Sequence, residues 1–192
     1  MWRPVTLFFY LDSKQIICYL RVKIRKGYTM TPEQEYIQCF EKMHELCREN
    51  DWGDPFSYNR AKEIYTALFL NHQVSTKFSG ADAYDSDGEC EYKSTTTKSI
   101  NGTYNGISVQ ETWDEQVKYL KEEKIGKYRN HYFLRFHGPF VAEAYVMKGT
   151  KVLEIAIEKL YSRYHSKQKR KDPRLGFSVT KSELEKYGRK IK

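Results

Sequence analysis

Residues 80–93 read GADAYDSDGECEYK, two short strand-like pieces separated by an Asp-Ser-Asp-Gly turn. Asp and Ser side chains bond their own backbone in turns, and glycine adopts positive φ, so this turn predicts a reversal of the chain. In the extended second piece, side chains two residues apart share a face, which places Glu91 and Lys93 together. If the turn brings the two pieces side by side, Asp82 lies next to Glu91, and two carboxylates meet one ammonium group.

These three side chains are the ones that metal-assisted phosphodiester hydrolysis uses. The attacking water must lose a proton, and the transition state must spread extra negative charge over the phosphoryl oxygens. Mg²⁺ meets both needs and is commonly held by one or two carboxylates, water and the substrate phosphate, which fits Asp82 and Glu91. Lys93 would orient the attacking water, lower its pKa or neutralise charge at phosphorus, and the sequence leaves these roles open. The alternative interpretation is a solvated hairpin with cross-strand ion pairs.

The rest of the chain predicts helices and strands in mixed order. A helix start is predicted at Thr31-Pro32, from a capping hydroxyl followed by proline, and a capping box at Thr180 predicts a short final helix. Further helices are predicted over Ser57–Asn71, Thr112–Lys124 and Thr150–His165. Strands are predicted over Val74–Phe78, Ala81–Tyr84, Glu89–Thr95, His131–His137 and Phe140–Met147. The fold class predicted is α/β (α+β), a central mixed β-sheet flanked by helices.

This order of elements, with Asp on one strand and Glu-x-Lys on the next, resembles the core of the PD-(D/E)xK nuclease superfamily, and within it the type II restriction endonucleases. The resemblance covers roughly residues 57–165, and its motif is short. It implies that Asp82 and Glu91 bind the metal and that Lys93 is the catalytic lysine. Ala81 stands where the family pattern has proline, a residue that takes no part in the chemistry.

Two further acids enter through the same resemblance. Glu63, on the helix before the sheet, is similar to the additional acid with which many members hold a water beside the metal. An ordinary surface role near Lys62 explains Glu63 equally well. Asp85 is a rival to Asp82 as first metal ligand, although Asp85 and Asp87 are better explained as turn formers.

Residues 1–30 are predicted to be a basic extension or β-hairpin arm of a single nuclease domain that spans residues 31–192, with its core at about 57–165. Two β-rich runs flank Asp12-Ser13-Lys14 in this stretch. The sequence leaves open whether it contacts DNA, forms a sheet edge or precedes the domain.

The catalytic acids repel DNA, so the duplex must be held by other residues. The candidates are exposed polar and basic side chains in three segments. They are Lys98, Asn101, Tyr104 and Asn105 in the loop Thr97–Ile107; Arg129 and Asn130; and Lys167, Lys169, Arg170 and Lys171 near the end of the chain. Each segment could instead be a solubilising surface.

Composition favours a phosphate-rich partner, and the charge alone does not distinguish DNA, RNA and acidic membranes. The 192 residues carry a formal charge of +8, which attracts phosphate-rich ligands. The four cysteines lack paired close spacing, and the longest apolar run near the start is too short to cross a bilayer, so a soluble, intracellular (cytoplasmic) protein is expected.

The function expected is a Mg²⁺-dependent endonuclease, with Mn²⁺ able to substitute, that cuts double-stranded DNA at a short sequence to leave 5′-phosphate ends. By the resemblance alone, it would act as a homodimer. The alternatives are a structure-specific or repair nuclease and a noncatalytic nucleic-acid-binding module.

Overall fold

Helices and strands alternate along the chain in the computed structural model, which describes residues 30–77, 80–166 and 174–192. The helices are α1 (Pro32–Glu49), α2 (Arg60–Leu70), α3 (Trp113–Tyr119), α4 (Gly149–His165) and α5 (Lys181–Tyr187). The strands are β1 (Gln73–Val74), β2 (Ala83–Asp85), β3 (Gly88–Thr95), β4 (Gly102–Ile107), β5 (Asn130–His137), β6 (Phe140–Lys148), β7 (Leu175–Val179) and β8 (Arg189–Lys190). A short π-helix, Leu120–Lys124, continues α3.

The central sheet is mixed. Among the described residues its strand order is β1-β2-β3-β5-β6-β8, and β4 pairs with β7 in a second sheet. β3 and β5 run parallel, whereas the other neighbouring strands of the central sheet run antiparallel. The fold is therefore α+β with a mixed central sheet flanked by helices, as the sequence predicts.

Strand β5 separates two hydrophobic clusters because its side chains alternate between the faces of the sheet. Phe133 joins a cluster with residues of β4, β7 and α4, while Tyr132 and Leu134 join a cluster with residues of α2, β2 and β3. Glu91 and Lys93 pair with His131 and Phe133 across the parallel β3–β5 ladder. The two charged residues therefore belong to the face of Phe133, at the edge of the first cluster.

The structure differs from the predicted elements in four places. Where a strand is predicted over Val74–Phe78, the described residues contain only the two-residue strand β1. The segment predicted as the loop Thr97–Ile107 contains β4, which pairs with β7. The helix predicted over Thr112–Lys124 is α3 followed by the π-helix. β7 and β8 were not predicted, and β8 extends the sheet beside β6. The two predicted capping sites are present, because Thr31 exchanges hydrogen bonds with Gln34 and Thr180 forms a capping box.

The described residues divide into two units, with the boundary between Met43 and His44 inside α1. The second unit holds both sheets and α2 to α5. The N-terminal arm predicted over residues 1–30 lies almost wholly outside the described residues. Where the chain is described, its helices are all too short or too polar to cross a lipid bilayer.

Candidate active site

The β2–β3 hairpin places Asp82 directly across from Glu91. Its register pairs Ala83 with Cys90, and the Asp82 N–H donates to the Cys90 carbonyl at 3.1 Å, which extends the pairing by one residue. The Tyr92 N–H then donates to Asp82 Oδ2 at 2.6 Å and fixes the carboxylate against β3. Gly88 closes the turn with a φ of 119°, a conformation that side-chain-bearing residues rarely adopt. The turn thus fixes the strand register that places the two acids on facing positions of the β2–β3 hairpin.

Lys93 completes the cluster from the same face of β3. Its Nζ donates to Glu91 Oε1 at 2.5 Å and lies 4.9 Å from the ring centroid of Tyr104. Burial opposes the charge on Lys93, but attraction by Glu91, the hydrogen bond to it, and the negative charges of Asp82 and Glu63 raise the pKa of the ammonium group. Lys93 is therefore a cation at neutral pH.

Asp82 is the acid with the strongest perturbation. Burial raises its pKa to about 8, helped by repulsion from Glu91 and Glu63 and opposed by the Tyr92 N–H and the charge of Lys93. Asp82 shares the site with Glu91 and Glu63, whereas the nearby cations are Lys93 and the Arg60 guanidinium beside Glu63, so one negative charge is in excess. Together with burial, this excess favours retention of one proton by Asp82 near neutral pH. A bound divalent cation would favour the ionised form of Asp82.

Glu63 reaches this cluster from α2. Its Oε2 lies 3.3 Å from Arg60 Nη1, and Glu63 contributes to the electrostatic field at both Asp82 and Lys93. Arg60 is buried, and its guanidinium also donates to the carbonyls of Trp52 and Ser75. Glu63 is thus held by a fixed arginine rather than by Lys62, the neighbour that an ordinary surface role would suggest.

A buried pair behind Lys93 was missed by the sequence reasoning. The Tyr104 hydroxyl lies 2.8 Å from His131 Nδ1, and His131 Nε2 lies 3.0 Å from the Ile125 carbonyl. Burial lowers the pKa of His131 to about 3, with a further contribution from the charge of Lys93, so the ring is neutral. Nε2–H therefore donates to Ile125, and Nδ1 accepts from Tyr104. The residues carry no local pattern that reveals this arrangement, which depends on β4 packing beside β5.

The structure corrects two of the predicted DNA contacts. Tyr104 is only 5% exposed and stacks on Phe177 with 4.7 Å between ring centroids, so it belongs to the core. Asn130 is also 5% exposed, and its Nδ2 donates to Asp85 Oδ2 at 2.7 Å and to Asp87 Oδ2 at 3.0 Å. Both side chains are occupied inside the fold and present no group to a duplex.

The rival first acid, Asp85, has structural partners. Its Oδ2 accepts from the Tyr132 hydroxyl at 2.9 Å as well as from Asn130, and its Oδ1 accepts from the Asp87 N–H at 2.7 Å. These bonds use the carboxylate to close the turn. Asp82 is therefore the acid that the structure places with Glu91 and Lys93.

The remaining predicted DNA contacts are mostly exposed where they are described. Lys98, Asn105 and Arg129 are exposed, and Asn101 is half-buried, with its Nδ2 bonded to Thr97 Oγ1 at 3.3 Å. The basic residues Lys167, Lys169, Arg170 and Lys171 lie outside the described residues. Of the six predicted contacts that the structure describes, four therefore lie at the surface.

The donors at the site suit a hard divalent cation that keeps much of its water. Within residues 30–77, 80–166 and 174–192, no three His, Cys, Asp or Glu side chains are grouped to enclose a metal by themselves. Mg²⁺ does not require this, because it usually takes one or two carboxylates and retains water. Asp82 Oδ1 and Glu91 Oε2 are the carboxylate oxygens left over from the bonds to Tyr92 and Lys93. The donor set fits Mg²⁺.

Comparison with known proteins supplies no relative: no protein-family model matches the chain, and a search of curated proteins gave no significant match.

Proposed function

We propose that this protein is a Mg²⁺-dependent DNA endonuclease whose reaction is carried out by Asp82, Glu91, Lys93 and Glu63. The observation that carries the proposal is the meeting of Asp82, Glu91 and Lys93 on neighbouring strands, where burial and the negative charges of Glu91 and Glu63 raise the pKa of Asp82. Titratable groups with perturbed pKa values cluster at functional sites.

Each residue has a role that follows from its surroundings. Asp82 and Glu91 would hold the cation, which when bound stabilises negative charge on the phosphate and lowers the pKa of water. Lys93 is charged, so it would donate a hydrogen bond to the attacking water or to a phosphoryl oxygen rather than act as a base. Glu63 adds negative charge from α2 and would accept a hydrogen bond from the attacking water.

The proposed substrate is double-stranded DNA. The formal charge of +8 and the exposed bases Lys98 and Arg129 support a polyanionic ligand. By the resemblance to type II restriction endonucleases, cleavage is site-specific, leaves 5′-phosphate ends and is carried out by a homodimer, with Mn²⁺ able to replace Mg²⁺.

The test is cleavage of a sequenced supercoiled plasmid by wild-type protein and by Lys93→Met, with and without Mg²⁺. Wild-type protein should cut only with the cation, and Lys93→Met should lose roughly 100-fold or more in rate, because the variant keeps the length of the side chain but not its charge. Lys118→Met, an exposed lysine on α3, is the control and should cut at the wild-type rate. Unchanged cleavage by Lys93→Met would refute the assignment.

The products separate the alternatives. A few discrete linear fragments indicate a restriction enzyme, whereas nicked circles or cutting confined to branched DNA indicate a repair or junction nuclease. Retained DNA binding with no cleavage in any divalent cation would indicate the noncatalytic binding module.

A further inference from the structure

A cavity of about 600 Å³ lies beside the candidate active site, at the end of the sheet where the β2–β3 turn meets the start of α4. Its walls come from the turn, from the segment that leads into β5, and from the junction of β6 with α4. The lining residues are Asp87, Gly126, Lys127, Tyr128, Arg129, Lys148 and Thr150. No residue of the Asp82 cluster is among them.

The lining carries three cations and one carboxylate, which leaves a net charge of +2. Asp87 Oδ2 pairs with Lys148 Nζ at 2.7 Å and accepts from Asn130 as well, so Lys148 is the cation that this acid neutralises. Lys127 and Arg129 form no ion pair with any carboxylate in the part of the chain described. Lys127 and Arg129 are thus exposed cations without a carboxylate in ion-pair contact, and the charge of Arg129 helps to lower the pKa of Asp87.

The backbone that carries these cations is fixed. The Arg129 N–H donates to the Glu89 carbonyl at 3.2 Å, and the Arg129 carbonyl accepts from the Gly149 N–H at 2.9 Å. Tyr128 is buried, and its hydroxyl donates to the Gly80 carbonyl at 2.9 Å. A Cβ added to Gly149 would overlap the Tyr128 carbonyl oxygen, so the segment and the start of α4 pack as closely as glycine allows. The backbone that positions these two side chains is therefore fixed before any ligand arrives.

The cavity lies near the catalytic acids along the sheet. The Arg129 N–H bonds to the Glu89 carbonyl, and His131, two residues after Arg129, pairs with Glu91 across the β3–β5 ladder. Two residues of a strand span about 6.6 Å, so Arg129 lies a short step along the sheet from Glu91. A nucleic-acid strand with one phosphate at Glu91 and Lys93 would bring a neighbouring phosphate of the same strand to this cavity.

We propose that the Lys127–Arg129 cavity binds a backbone phosphodiester of the DNA next to the one that is cut. The inference rests on the proposed function, because it takes DNA as the ligand. Lys127 and Arg129 contact the phosphate, and Thr150 adds a hydroxyl donor at the start of α4. Contacts of this kind fix the register of a duplex on the protein without reading its sequence.

The test is the salt dependence of binding of a fluorescent 20-bp duplex, measured by anisotropy in EDTA so that no cleavage occurs. The double variant Lys127→Gln/Arg129→Gln is compared with Lys118→Gln/Arg189→Gln, which also removes one lysine and one arginine, from exposed positions on α3 and β8. Loss of one or two phosphate contacts should reduce the slope of log affinity against log salt by about 1 to 2 and weaken binding roughly tenfold relative to the control. Equal slopes and affinities for the two double variants would overturn the proposal.

Two further measurements keep the outcomes distinct. Inorganic phosphate and a mononucleotide are tested as competitors, and if the cavity variant loses only these small anions while duplex binding is unchanged, the backbone assignment is wrong. Wild-type protein that binds the duplex through the cavity but never cuts it would support this inference and defeat the nuclease proposal. Thermal unfolding checks that the substitutions, both at exposed positions, leave the fold intact.

Discussion

Replacing Asp82 with asparagine should stabilise the metal-free protein, and by an amount that grows with pH. The carboxylate is buried and repelled by Glu91 and Glu63, so the folded protein holds it protonated up to a pKa of about 8. Asparagine has nearly the same shape, stays neutral at every pH, and keeps a carbonyl oxygen for the Tyr92 N–H. The variant therefore loses the repulsion and keeps the hydrogen bond.

The size of this stabilisation follows from the difference between the pKa of Asp82 in the folded protein, about 8, and its ordinary value of 3.8. Between these values the folded protein binds the proton and the unfolded chain does not, so the stability that this group gives is complete below pH 3.8 and is lost as pH rises through 8. Each pH unit in that window lowers the free energy of unfolding by about 1.4 kcal/mol. From pH 6 to pH 8 the wild type should lose about 2 kcal/mol relative to Asp82→Asn.

The assay is urea denaturation of both proteins at pH 6, 7 and 8 in EDTA. Asp114→Asn changes an exposed acid in the first turn of α3, and its difference from wild type should stay constant over this range. Added Mg²⁺ should reduce the difference in free energy of unfolding between wild type and Asp82→Asn at pH 8, because a bound cation stabilises the ionised acid of the wild type. A gap that does not change from pH 6 to pH 8 would refute the account of Asp82.

Three other perturbations follow from the described contacts. Tyr104→Phe keeps the ring beneath Lys93 but leaves His131 Nδ1 without its hydrogen-bond donor. The free energy of unfolding should fall by about 1–2 kcal/mol, and urea denaturation at the wild-type midpoint would contradict this. Thr180→Ala removes the cap of α5 and should cost about 1 kcal/mol, whereas Thr180→Ser should cost only a few tenths; equal losses would show that the cap has no effect. Iodoacetamide at pH 8 should label the exposed Cys39 well before Cys90, because burial and the charge of Asp85 raise the pKa of the Cys90 thiol to about 12. Mass spectrometry of the labelled peptides gives the two rates, and equal rates would contradict the burial of Cys90.

The hairpin that builds the site could be predicted from sequence because its causes are local. Turn-forming residues occupy four consecutive positions, and the alternation of side chains over Glu91, Tyr92 and Lys93 follows from strand geometry alone. Most helices and strands were predictable for the same kind of reason, since each carries its own periodicity, whereas the mixed central sheet was expected together with the family resemblance.

The buried Tyr104–His131 pair behind Lys93 could not be predicted, because it depends on pairing between distant segments. β4 contains two glycines and reads as a loop, and its partner β7 lies about seventy residues further along the chain. Only that pairing places Phe177 against Tyr104 and turns the Tyr104 hydroxyl to His131. Tyr104 was therefore predicted to contact DNA from an exposed loop, whereas the second sheet buries it.

Asn130 was misassigned for a related reason. A polar residue inside the basic segment Lys127–His131 is typical of a surface, yet its position at the start of β5 sets it beside the turn acids Asp85 and Asp87. The buried amide is satisfied by two carboxylates, which offsets the cost of removing it from water.

The central claim is that Glu91 and its neighbours hydrolyse DNA, and the most direct measurement is the initial rate of Mg²⁺-dependent plasmid cleavage by Glu91→Gln beside Glu89→Gln. Glu89 lies on the same strand two residues earlier but is exposed, so it is a closely matched control. Glu91→Gln should cut at least about 100-fold more slowly than wild type, and Glu89→Gln should cut within about twofold of it. Equal cleavage by the two variants, or by Glu91→Gln and wild type, would contradict the account.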